Sequence, residues 1–184
     1  MNVSKFKLQT LTCNHSQSAS ILEIIIHTIL FNRTIGIPTI PKEIESYLFD
    51  DLYYVAIDDD KTLNTVKHEL IRISQIKDED DISIILSLYY SIKKYGILGE
   101  YDEKIEFERW TIPLHYVTDK IFVEENELQQ KIQDSIHLIL SVEEIPVQLP
   151  NRERFSFTIT NSIPKQTGIV YDMFASASRM FSTP

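Results

Sequence analysis

Glu106 and Glu108 stand two residues apart in the segment EFERWTIPLHYV, which runs from Glu106 to Val117. On an extended chain that spacing turns both carboxylates to one face, an arrangement in which one could donate and the other accept a proton. The outer face of a half-buried strand has the same pattern, and a solvent-facing pair is the simpler reading. The histidines are the other candidates for proton transfer. His27 lies inside ILEIIIHTILF and reads as a packed core residue. His68 is flanked by Lys67 and Glu69, and His115 alternates within a strand near Arg109, so both read as structural or solvent-exposed. A catalytic base needs a nucleophile and an orienting group within hydrogen-bond reach, and no spacing here brings such groups together. Cys13 has no cationic neighbour to activate it and reads as a small apolar residue.

Metal chemistry has equally little support. The acidic runs 58–60 and 78–81 lack the alternating ligands, central glycine and distal glutamate of a calcium loop. A helix start and a solvated turn explain them. One cysteine and five scattered histidines offer no zinc spacing. None of the four glycines falls in a phosphate-cradling pattern, so no cofactor is expected. A net charge of -9 disfavours nucleic acid and anionic membrane surfaces, both of which are held through Lys and Arg. The N-terminal residues lack the apolar core of a signal peptide, and ILEIIIHTILF is too short to span a bilayer. With a single cysteine, these features lead us to expect a cytoplasmic chain in a reducing compartment.

The elements that must position these residues follow from periodicity. Phe6–Cys13 alternates loosely and predicts a first strand; Ile21–Phe31 predicts a buried helix, closed by Gly36 and Pro38. Leu52–Ile57 predicts a short strand. Asp58, Asp59 and Asp60 then open a helix carrying Leu63, Val66, Leu70 and Ile73 at spacings of three and four. Lys77–Asp81 reads as a turn and Ile82–Lys93 as a long strand. Tyr95–Glu103 reads as a connecting loop, and Lys104–Thr118 as the return strand of a hairpin. Val123–Val142 predicts a third helix with a packed stripe of Leu128, Ile132, Ser135, Ile136, Ile139 and Leu140, stopped by Pro146 and Pro150. Phe155–Thr160 predicts the closing strand. The order β-α-β-α-β-β-α-β is that of an α+β fold with a mainly antiparallel sheet covered by helices. Residues 1–160 form the domain, and residues 161–184 a tail or docking segment.

Trp110 sits where one face of the return strand changes from charged to apolar: Glu106 and Glu108, then Trp110, Ile112, Leu114 and Tyr116. That is the pattern of a strand leaving solvent for a core, and it makes Trp110, Ile112 and Leu114 core residues. A buried nest of ionisable groups beside the indole would point instead to bond-making chemistry.

With HTILFNRTIG on the first helix and RWTIPLHYV on the return strand, the chain resembles the autophagy-related protein 101 family. DLYYVAI, IHLILSVEEIPVQLP and RFSFTIT extend the likeness in order over most of residues 1–160. The resemblance implies a HORMA-like domain: three helices packed on a mainly antiparallel sheet with a long hairpin, held in an open state. It also implies a non-enzymatic adaptor that pairs with the HORMA domain of autophagy-related protein 13 and stabilises it. Through that partner it would support the autophagy-initiating kinase complex, at the phagophore assembly site on induction. Family members can carry a Trp-Pro-Phe finger between the long strands. Here the corresponding KKYGILGEYDEK has no tryptophan, and Tyr95, Ile97 and Leu98 are the candidate substitutes.

An adaptor of this kind needs an apolar patch of several hundred Å², as an order of magnitude, that a lone domain leaves open. The outer face of the third helix (Gln130, Lys131, Asp134 and His137), beside the first helix, is the expected place. Two alternatives stand beside it: a HORMA adaptor of a checkpoint or DNA-repair pathway that closes over a peptide, and a small enzyme using Glu106 and Glu108.

Overall fold

The computed structural model describes residues 3–34, 39–76, 80–97, 99–117, 125–142 and 155–162. Seven strands and three helices are described, in the order β1 (Ser4–Lys7), β2 (Leu11–Cys13), α1 (His15–Asn32), β3 (Pro41–Glu45), β4 (Tyr53–Ile57), α2 (Asp60–Ser74), β5 (Asp81–Gly96), β6 (Gly99–Tyr116), α3 (Glu125–Ser141) and β7 (Ser156–Ser162). The expected helix stops at Gly36, Pro38, Pro146 and Pro150, residues 77–79 of the expected turn and residues 163–184 of the expected tail 161–184 lie outside the described residues, while Asn161 and Ser162 belong to β7.

The isoleucine-rich segment is helical because it is buried on nearly every side, which favours a central helix over a half-exposed strand. Ile21, Leu22, Ile24, Ile25, Ile26, Ile29 and Leu30 are all withdrawn from water. At its start Gln17 Oε1 accepts the Asn14 N–H at 3.0 Å, satisfying a donor the helix leaves open. α1 packs against α2, α3 and β4. α2 begins where expected: Asp59 caps it, accepting from Thr62 N at 3.0 Å and Thr62 Oγ1 at 2.7 Å. Val66, Leu70 and Ile73 face the core, while Leu63 is half-buried.

The main sheet has the order β1-β6-β5-β7, with β2 also pairing β6. β5 runs antiparallel to β6 and β7, and β1 and β2 run parallel to β6. This is the expected α+β, HORMA-like arrangement of three helices and a mainly antiparallel sheet. Four local expectations are corrected. The first strand is two strands, because Leu8 turns into the core while its N–H bonds Thr111 O at 3.0 Å. β3 is additional and pairs only with β4 among the described residues. Its sequence PKEIE shows no strand periodicity, because Ile44 alone of these five packs inward.

The stretch Tyr95–Glu103 is not a loop; β5 and β6 stay paired to Gly96 and Gly99. Gly99, at φ +115, supplies the backbone conformation such a tight reversal needs. Lys93–Glu100 and Lys94–Glu103 ion pairs tie the two arms. Finally, Leu140 is exposed rather than packed. Successive helical residues are about 100° apart, so Leu140 cannot share the core face that Ile139 occupies.

Candidate functional site

The two glutamates singled out first are separated by a β-bulge. Leu88 opposes Glu108 and Tyr89 opposes Glu106, leaving Phe107 as the extra residue on β6. The alternation slips by one, so Phe107 and Glu108 are both buried and Glu106 stays near the surface. Glu106 forms a two-pronged pair with Arg109, at 2.8 Å to Nε and 2.7 Å to Nη2. Hydrogen bonds from Arg109 and then Ser87 hold its carboxyl below the ordinary range, and the Glu106 hydrogen bond pushes Arg109 up.

Glu108 is not on a solvent face: its exposure is 0% and that of its partner Arg33 is 2%. Arg33 Nε donates to both carboxylate oxygens, at 2.7 and 2.9 Å, and Trp110 Nε1–H donates to Oε1. Arg33 Nη1 reaches Val142 O at 3.3 Å, while Asn32 Nδ2 donates to Ile139 O at 2.9 Å. The end of α1 therefore caps carbonyls at the end of α3, which a helix leaves unpaired. Phe6 stacks on Trp110 at 4.5 Å between ring centroids, and the Arg33 guanidinium lies 5.6 Å from the indole centroid.

Trp110, Ile112, Leu114 and His27 are core, as expected. Ionisable groups do lie beside the indole, but they form a closed pair of opposite charges. Both carboxylate oxygens are engaged, and neither of the grooves considered below is lined by Arg33, Glu108 or Trp110. A proton-transfer group must reach a substrate; among the described residues the Glu108 carboxylate meets Arg33 and Trp110. The signal for it in the sequence is the polar pair Asn32-Arg33 directly behind an apolar helix.

The remaining candidates are dispersed. His27 stacks with Tyr54 at 5.9 Å, and burial pulls its pKa down to about 4. Burial pushes the Cys13 thiol up to about 12, so it stays protonated. His68 lies exposed 3.7 Å from Glu69, and His115 Nδ1 is 2.8 Å from Asp81 at the surface. Among the described residues no group of three or more His, Cys, Asp or Glu is placed to hold a metal ion, and no helix is long and apolar enough to cross a membrane.

What the surface offers is contact area. On α3, Gln130, Asp134 and His137 are exposed along one stripe, with Leu138 and Leu140 open beside it. Lys131 is half-buried, tied to Glu127 at 2.6 Å, and its carbonyl accepts from Gln9 at 2.9 Å. At the hairpin tip Tyr95 and Ile97 stand in solvent; Leu98 lies outside the described residues. A small apolar cleft lies between Leu30, Ile57, Phe155 and Phe157, and a larger groove between β3, α1 and α2.

The family model for Autophagy-related protein 101 matches residues 10–145, well over half of the chain and the whole span from β2 to α3. No curated protein matches. On that match the chain belongs to the Autophagy-related protein 101 family and has a role in autophagy.

Proposed function

We propose that this chain is a non-enzymatic adaptor that heterodimerises with the HORMA domain of autophagy-related protein 13 through the outer face of α3. In doing so it stabilises that partner and supports the autophagy-initiating kinase complex, in the cytoplasm and at the phagophore assembly site. The observation that carries the reading is the exposed pair Leu138 and Leu140, 44% and 55% accessible, beside the polar stripe of Gln130, Asp134 and His137. A polar stripe flanked on either side by an exposed leucine gives the mixed polar and apolar surface of a protein interface. Lys131 contributes at the rim. Membership of the family supports this reading over an adaptor that closes on a peptide. Tyr95 and Ile97 at the hairpin tip supply a second contact, toward downstream factors, with Leu98 beside them in sequence.

Co-expression with the partner's HORMA domain tests it. The expected result is a co-eluting one-to-one complex and a higher soluble yield of the partner. Two folded proteins that remain separate at micromolar concentration would overturn the reading.

A further inference from the structure

The groove between β3, α1 and α2, about 830 Å³ in volume, is lined by every residue from Lys42 to Tyr47. Six consecutive residues of one segment can line a groove only if the strand presents its edge, because a face would offer alternate residues. Ala19 and Glu23 of α1, with Lys67, Leu70, Ile71 and Ser74 of α2, complete it; no described residue of α3 takes part.

The hydrogen bonding shows which groups the edge offers. Ser46 N donates to Leu52 O, and Asp58 N to Ile40 O, both at 2.8 Å. Even-numbered residues of this strand therefore bond toward β4. In an antiparallel pair the residues between them point their N–H and C=O outward. Glu43 and Glu45 thus present both backbone groups at an edge that no other strand pairs among the described residues, and Pro41, which has no N–H, ends it.

We propose that β3 accepts an added strand from an extended basic peptide, with Lys or Arg opposite Glu43 and Glu45 and an apolar residue between them over Leu70 and Ile71. Residues directly opposite in such a ladder share a face, so the two carboxylates meet the two cations of the incoming strand. The local acidity is visible in Tyr53, whose hydroxyl is held above the ordinary tyrosine range by Glu45, with Asp51 and Glu43 adding to it. Of the two lysines on the lining, Lys42 is 3.9 Å from Asp58; Lys67 is the other, against three glutamates, Glu23, Glu43 and Glu45. A second copy of the chain would bring its own acidic edge and a net charge of -9, so like charges exclude self-addition. The proposal is independent of the α3 interface.

The probe is a fluorescent peptide of roughly seven residues alternating Lys and Val, titrated into the full chain at low salt, with hydrogen exchange read along β3. Saturable binding that weakens with salt is expected, with slowed exchange at the Glu43 and Glu45 amides. N-methylating the peptide amides that face Glu43 and Glu45 leaves the protein untouched, and is expected to weaken binding at least about tenfold. The double substitution Glu43→Lys with Glu45→Lys, at exposed positions, is expected to weaken it similarly and to admit a Glu/Val peptide instead. Absence of saturable binding, indifference to N-methylation or protection confined to another surface overturns the proposal. It is also overturned if those amides are already protected in the free chain and released by deleting residues 163–184, because the chain's own end would then be the occupant.

Discussion

The Arg33 guanidinium and the Glu108 carboxylate, 75 residues apart in sequence, meet at 2.7 Å in the interior, where the end of α1, β6 and the end of α3 converge. Neither charge is tolerable there alone, since a buried ion without its counter-ion loses its hydration and gains nothing in return. The pair therefore specifies how these three elements dock more than it adds net stability.

Glu108→Gln is expected to cost about 3–5 kcal/mol in urea unfolding, because it leaves the Arg33 charge buried and uncompensated. The double variant Arg33→Met with Glu108→Met removes both charges and is expected to recover most of that loss. Trp110, the only tryptophan, reports on the site directly: its emission should shift in the single variant. A loss as large in the double variant as in the single one would contradict this account.

His27 makes stability depend on pH. Its pKa is lowered to about 4 in the fold from about 6.5 unfolded, so between those values the unfolded chain binds the extra proton. The His27 contribution is complete above about pH 6.5 and is lost as pH falls toward 4, reaching about 2 kcal/mol by pH 5. Comparing denaturation at pH 7 and pH 5 for the wild type and for His27→Leu checks it. The difference between the two pH values should shrink by that amount in the variant.

On α3, Leu138→Glu is expected to weaken association with the partner's HORMA domain at least about tenfold, by placing a charge where an apolar contact should be desolvated. The free domain should unfold at nearly the same temperature, because Leu138 is exposed. Calorimetric titration alongside thermal melting separates these effects. Unchanged affinity would remove the α3 face from the interface.

At the hairpin tip, Gly99→Ala forces a side chain into φ +115, although nothing crowds the added methyl. The expected cost is about 1 kcal/mol, felt locally. Hydrogen exchange across residues 93–104 should quicken while global unfolding moves little, since the tip lies outside the core.

Much of the architecture was legible in the chain. The spacing of Val66, Leu70 and Ile73 and the cap at Asp59 locate α2, and the run from Leu128 to Ile139 locates α3. The burial of Trp110 and His27 follows from their apolar surroundings. β3 was not legible, because PKEIE is an exposed edge strand whose pairing comes from β4. The hairpin arms beyond Tyr95 read as loop because the stretch carries Gly96 and Gly99, and only their mutual register makes them strands. Leu140 reads as core from its type and as surface from its angle.

Local periodicity, caps and glycine positions depend on neighbours within a turn or two, so the sequence alone determined the three helices, the long hairpin and a buried indole. Glu108 went the other way. Its two-residue spacing from Glu106 promised a shared solvent face, but the extra residue Phe107 parts the two, and Glu108 follows the alternation of Trp110 and Ile112 into the core. What made that burial possible was Arg33, brought from the far end of α1 by tertiary packing. A charge is buried or exposed according to whether a counter-charge arrives, and that arrival is a property of the folded chain rather than of any window along it.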